Sequence, residues 1–433
     1  MTISSSLNAG VTGLNVNATR LATIADNIAN SATYGYRRAT VDFSSLVIND
    51  TPGTYTAGGV RANAGREVDE RGAIVATNNA TDLAVAGRGM FPVTQITDVR
   101  NGGELPLSLV PTGSFRADEE GYLRNSAGLV LLGWQAEVDG TVPSQPRDGT
   151  TGLEPVRVLS NQELADPTTN VSLGVNLPAA AAADAVTAAA PGDPLTVPVV
   201  YYDNVGTAQT LTATFTPTGA AADEWSLTFD DSASSPARIG EFSVTFDASR
   251  GSGGSIASVT PVSGGTYDAA TGDLSLNVAG GPMTVAIGSP GGSELLTQLS
   301  SEFAPTAVTT NGAPVGTLAR VEVDENGFMS AIYDTGFSRT LYQIPLADVA
   351  NLNGLNAESG QSYTVTRNSG PVYLWDAGDG PTGGVVGFAL EESTADIAGE
   401  LTQMIQTQRA YSSNAKVIQT VDEMLQETTN IIR

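Results

Sequence analysis

Neither cysteine nor histidine occurs in this chain of 433 residues. Their absence excludes the common Ser-His-Asp triads, thiolate nucleophiles and the usual zinc sites, leaving only carboxylate, Lys or Tyr chemistry. No disulfide can form, so a fate outside the cell would depend on packed cores or on assembly. Positive charge is scarce: 20 Lys and Arg against 46 Asp and Glu give a formal net charge of -26. Nucleic-acid affinity requires many cations to neutralise phosphates, so no nucleic-acid partner is expected, and anionic membranes are disfavoured too. Nothing approaches the ~20 consecutive apolar residues of a membrane span, so no membrane insertion is expected. A cleavable signal needs a basic segment before an apolar one, whereas Met1 to Gly13 is uncharged and polar-rich. The chain is expected in the cytosol, or to leave the cell by a route that reads no cleavable signal.

What is abundant points to strands. The 48 Gly and 22 Pro, with many Ala, Thr, Ser, Val and Asn, fit short strands joined by tight turns, and the length implies two or three domains. The ends differ. Leu7, Leu14, Leu21 and Ile28 recur every seven residues, as do Leu390, Ile397, Met404, Tyr411, Ile418, Leu425 and Ile432. Residues seven apart share one helical stripe, and a straight stripe needs a partner to wind around. A helix is predicted over about Ser5 to Ala32, with Val11, Ala18, Ala25 and Ala32 widening the stripe and Asn30 to Gly35 ending it. A second helix is predicted over about Thr394 to Ile431, roughly 55 Å long at ~1.5 Å per residue, with Ser393 or Thr394 as its N-cap.

Between the helices, residues 37–70 read as a loop-like linker containing Thr51-Pro52-Gly53-Thr54. Strands are predicted near Ile74, Leu83 to Ala86, Met90 to Val93, Tyr122 and Leu129 to Trp134. A second group runs from Val171 to Phe246, with Ala179 to Ala183 and Gly251 to Gly254 as low-complexity connections. Strands of the first kind return at Ala319 to Val323, Phe328 to Tyr333 and Tyr363 to Thr366. The expected fold is therefore mainly β, one domain inserted in another, with terminal helices forming an inner coiled-coil-like domain. The expected divisions are a helical assembly domain at 1–36 pairing with 386–433, a linker at 37–70, a first β-domain at 71–149 and 319–385, and an inserted outer β-domain at 150–318.

Motifs for chemistry are weak. Asp324-Glu325-Asn326-Gly327 and Asp376-Ala377-Gly378-Asp379-Gly380 lack the spaced ligands of a calcium loop and read as turns. Gly87-Arg88-Gly89 lacks the third glycine and the helix of a dinucleotide site. No catalytic residue, metal site or cofactor is expected, and the chain is not read as an enzyme.

Asn27-Ile28-Ala29-Asn30 followed by Thr33-Tyr34-Gly35-Tyr36-Arg37-Arg38 resembles the N-terminal signature of bacterial flagellar axial proteins, the rod and hook family. The C-terminal segments Glu400 to Ile405, Gln408-Arg409-Ala410-Tyr411, Asn414 to Ile418 and Asp422 to Gln426 resemble that family's other end. Similarity continues through Leu83 to Phe91, Gly113-Ser114-Phe115, Gly121-Tyr122-Leu123 and Gln343 to Ala347, and is weak over about 150–318. Rod members are shorter and largely lack such an insert, so the hook type is the closer resemblance. Two departures stand out: Glu392-Ser393-Thr394-Ala395 where the family often has Ser-Asn-Val, and Ser31-Ala32 in place of an Asn-containing pair.

The resemblance implies export through the flagellar secretion channel and self-assembly into a curved, flexible tube that joins rod to filament. It implies as partners other copies of the chain, the distal rod protein, the hook cap, the hook-filament junction proteins and the export apparatus. Leu7, Val11, Leu14, Leu21, Ile28, Ile397, Met404, Tyr411, Ile418, Leu425 and Ile432 are the expected assembly residues. The first ladder is expected to pack on Met404, Tyr411, Ile418 and Leu425 of its own subunit. Asn27, Asn30, Thr33, Gly35, Tyr36, Arg37, Gln408, Arg409 and Asn414 carry the family motif. A distal rod or hook-associated protein is the alternative of the same class, and a secreted β-rich adhesin that of another.

Overall fold

The computed structural model describes residues 3–46, 57–103, 105–137, 140–159, 164–292 and 294–431. They fall into two compact units, Met1–Ser160 with Arg320–Ile332 and Ser338–Arg433, and Asn161–Ala319 with Tyr333–Phe337. The second is an insertion in the first. It begins later than the expected 150 because Leu153–Pro155 still pairs with Leu129–Gln135 of the first unit.

In the first unit Leu129–Gln135 is a central strand, antiparallel to Phe91–Gln95 and to Ser338–Gln343, so residues from both sides of the insertion share one sheet. All but its last residue are buried, as its unbroken apolar run requires. Met90, Leu109, Leu132, Trp134, Tyr363 and Leu374 form part of the core. One turn device recurs. Asp118, Asn125 and Asp324 each accept the backbone N–H groups two and four residues on. Gly121, Gly128 and Gly327, three residues on, take the positive φ that closes each turn.

Helices span Ile3–Ala29 and Ile397–Ile431. The N-cap of the second is Asp396 rather than Ser393 or Thr394, its carboxylate accepting from the N–H groups of Ala398 and Gly399 at 3.1 Å each. Leu390, the first rung of the C-terminal ladder, lies in strand Ala389–Glu391 and not in the helix. Ile432 and residues 47–56 lie outside the described residues. The expected linker at 37–70 contains an antiparallel ribbon, Ala39–Ser45 with Val60–Arg66, whose polar and glycine-containing sequences give only a weak strand signal.

The second unit is a β-sandwich. Leu195–Tyr202, Ala208–Pro217, Glu224–Asp231, Arg238–Phe246 and Ile256–Ser263 form a five-stranded antiparallel meander. A six-stranded sheet centres on Asn170–Pro178, which pairs in parallel with Gly281–Ala286 and Leu296–Leu299 and antiparallel with Ala304–Thr310. Alternate residues of both sheets, among them Leu173, Val175, Phe215, Trp225, Phe229 and Val285, meet in one core. Ala179–Ala188 is a helix rather than a loose connection, with Ala182 and Ala185 buried; alanine is the strongest helix former.

Candidate assembly interface

The terminal helices run antiparallel, and two glycines sit tight against the facing helix. A Cβ on Gly10 would lie 3.0 Å from Ile418 Cγ1, and one on Gly13 3.0 Å from Asn414 Nδ2. Nearer the β-body, Arg20 Nη2 donates to Gln403 Oε1 at 3.4 Å and Asn27 Nδ2 to Glu400 Oε1 at 3.1 Å. Val16, Asn17, Ile24 and Thr407 are buried. Leu7, Leu14, Leu21 and Ile28 flank this seam half-buried, as do Met404 and Ile418. The seam expected through the leucine ladder is therefore turned towards Gly10 and Gly13, where missing side chains make room for the side chains of Ile418 and Asn414.

That rotation leaves apolar side chains facing outward. On the C-terminal helix Ile397, Leu401, Ile405, Tyr411, Val417, Met424 and Leu425 are exposed, with Leu401 at 47% and Ile405 at 53%; Val11 is exposed on the other helix. Ile397, Leu401 and Ile405 are four residues apart and share one stripe. Contiguous exposed apolar patches are a common feature of interaction sites in general.

At the base of the pair the motif residues converge. Asn27, 1% exposed, accepts from the Ala39 N–H at 2.9 Å and donates to the Ala39 carbonyl at 2.8 Å. The Tyr36 hydroxyl lies 3.0 Å from both Asp26 Oδ2 and Asn27 Oδ1. Burial and the Asp26 carboxylate push the Tyr36 phenol up to about 12. Arg37 and Glu391, each 3% exposed, form a bidentate pair, and Arg37 also donates to the Glu70 carbonyl at 2.6 Å. Glu391 accepts in addition from the Gly72 N–H at 2.7 Å. A Cβ on Gly72 would collide with the Glu392 carbonyl oxygen, so only glycine allows this approach. Arg38 Nε donates to Glu400 at 2.6 Å, a bond that raises the guanidinium pKa further. Burial and the nearby Glu70 push Glu67, the second partner of Arg38, upward.

Two backbone bonds close the clamp: the Gly35 N–H donates to the Glu391 carbonyl at 2.8 Å and the Thr394 N–H to the Tyr36 carbonyl at 3.1 Å. Asn30 and Thr33 shape the helix end, with Asn30 Nδ2 donating to the Asp26 carbonyl and Thr33 Oγ1 donating to Asn30 Oδ1. Asn414 packs over Gly13, whereas Gln408 and Arg409 stand exposed. Glu391 and Gly72 escaped the sequence reading; an acid closing the apolar Ala389-Leu390 pair was the available signal for Glu391.

Comparisons with known proteins agree from end to end. Residues 7–37 match the family described as flagella basal body rod protein, 176–313 the flagellar basal body protein FlaE D2 domain, and 387–431 the flagellar basal body rod FlgEFG protein C-terminal. Flagellar hook proteins FlgE of Brucella suis and Rhizobium meliloti are 36% and 33% identical over 100% of this chain and of theirs. That of Escherichia coli strain K12 is 29% identical over 97% of this chain and 98% of its own. In fold the chain is similar to the crystal structure of Helicobacter pylori hook protein FlgE2, with a TM-score of 0.50 and 15% identity over 72% of this chain and 98% of that one. These full-length relatives favour neither the rod nor the adhesin alternative, and the chain belongs to the flagellar hook protein family.

Proposed function

We propose that this chain is the structural subunit of a flagellar hook and that it polymerises through the outward stripe of its helix pair. The observation carrying this is the exposure of Ile397, Leu401 and Ile405 beside a seam that Gly10 and Gly13 already close. Neighbouring copies bury that stripe, with the half-buried Leu21 and Ile28 at its margin and Leu7 and Leu14 farther along the pair. Heterologous contacts that do not close into a ring generate helical tubes. The inner helices hold the tube together while the acidic inserted unit makes weaker, replaceable contacts, so the tube bends as a universal joint.

The subunit works without catalysis, passes unfolded through the export apparatus without a cleavable signal, and adds beneath a cap between rod and junction proteins. The absence of cysteine suits threading, since no disulfide has to be undone. Electron microscopy of Leu401→Asp tests the assembly reading. Soluble, folded chains that form no tubes are expected, and normal tubes would refute it.

A further inference from the structure

We infer that the clamp joining residues 27–38 to 391–400 is a folding seed, from which the terminal helices zip towards their tips as the polymer forms. This rests on the assembly reading above. Asn27 and Glu400 are separated by most of the chain, and closing so long a loop costs entropy before any helix contact can offset it. The β-body removes that cost. Ala389–Glu391 pairs with Ile74–Ala76, and Arg37 reaches both Glu391 and the Glu70 carbonyl. None of these contacts uses a helical residue, so the bases of both helices are held together before either helix forms.

Along the seam the contacts are graded. At the base they are buried and directional, with the Glu400 side chain, 1% exposed, accepting from Asn27 and Arg38. Towards the tips the approaches at Gly13 and Gly10 rely on close packing, and past Ile418 only Val421 is buried among the described residues of the C-terminal helix. Glycines 10 and 13 also weaken the intrinsic helix there. Starting a helix is its costly step and extending it is cheap. A seed at the base therefore gives the pair one register and leaves the tips to be ordered by arriving neighbours.

Hydrogen exchange on the soluble full-length chain tests this. Protection should be greatest at 24–29 and 397–404 and fall at least tenfold towards 3–12 and 418–431. In the double variant Arg37→Gln, Glu391→Gln, which keeps a neutral hydrogen-bonding pair, base protection should fall at least tenfold while Leu129–Gln135 keeps its own. If that strand also loses protection, Asn27→Ala decides, since it leaves the Arg37–Glu391 pair in place and should still lower protection at the base. Uniform weak protection, tips protected above bases, or a base unaffected by either variant overturns the seed but not the assembly reading. Uniform strong protection of both helices in the soluble chain overturns the seed as well, whereas the assembly reading stands or falls with the tubes of Leu401→Asp.

Discussion

The inserted sandwich and the terminal helix pair spend their apolar residues in opposite ways. The sandwich buries Tyr201, Phe215, Trp225, Phe229, Phe242 and Phe246 completely or nearly so, and its alternating strands leave polar residues outside. The helices bury only Val16, Ile24 and Val421 among their described apolar residues, beside glycine and asparagine, and turn Leu401, Ile405 and Met424 to solvent. One region is complete within a single chain; the other has its hydrophobic surface still to bury. Hydrophobic content alone does not distinguish them, but where each apolar side chain points does.

Substitutions that separate the two regions sharpen this contrast. Phe229→Ala should cost the sandwich about 3–5 kcal/mol through the cavity it leaves, measured by denaturant unfolding, while tubes still form wherever the sandwich stays folded. Removing one partner of the buried pair by Glu391→Ala should cost the first unit about 3–5 kcal/mol and abolish tubes, because Arg37 is left charged and unpaired.

Asp231→Asn should cost the sandwich roughly 1–3 kcal/mol. Burial alone would raise the Asp231 pKa, but bonds from Ser234, Tyr201 and the N–H groups of Ala233 and Ala279 outweigh it and hold the carboxyl below its usual range. A lowered folded pKa means this stabilisation is present above the usual carboxylate range and is lost as pH falls through the lowered value. Acid titration of unfolding should therefore show a limb that the Asn variant lacks. Smallest on the soluble chain is Leu401→Asp, expected to change its stability by no more than ~0.5 kcal/mol while eliminating tubes, by electron microscopy.

Much of this was legible in the sequence where one physical signal dominated. Both helices, the strand at Leu129 to Trp134 and the turn at Asp324 to Gly327 follow from periodicity, an apolar run and turn chemistry. The seam did not, because a search for apolar rungs passes over Gly10, Gly13 and Asn27, whose value lies in being small or in bonding to distant Glu400 and Ala39. Strands such as Ile256–Ser263 and Gly281–Ala286 were missed among Gly, Ser and Pro, where tertiary pairing overrides local preference. The clamp was half visible: Tyr36 and Arg37 stood out as a motif, but Glu391 lies more than 350 residues away and only the fold unites them.

Since the chain has no cysteine, Ile405→Cys places a single thiol on the outward stripe, and Val200→Cys, at 51% exposure on the sandwich, provides the control. Maleimide should label both at similar rates in soluble chains, whereas in assembled tubes labelling at 405 should slow at least tenfold more than at 200. Equal reactivity at 405 before and after assembly would contradict burial of the helix stripe by neighbouring subunits.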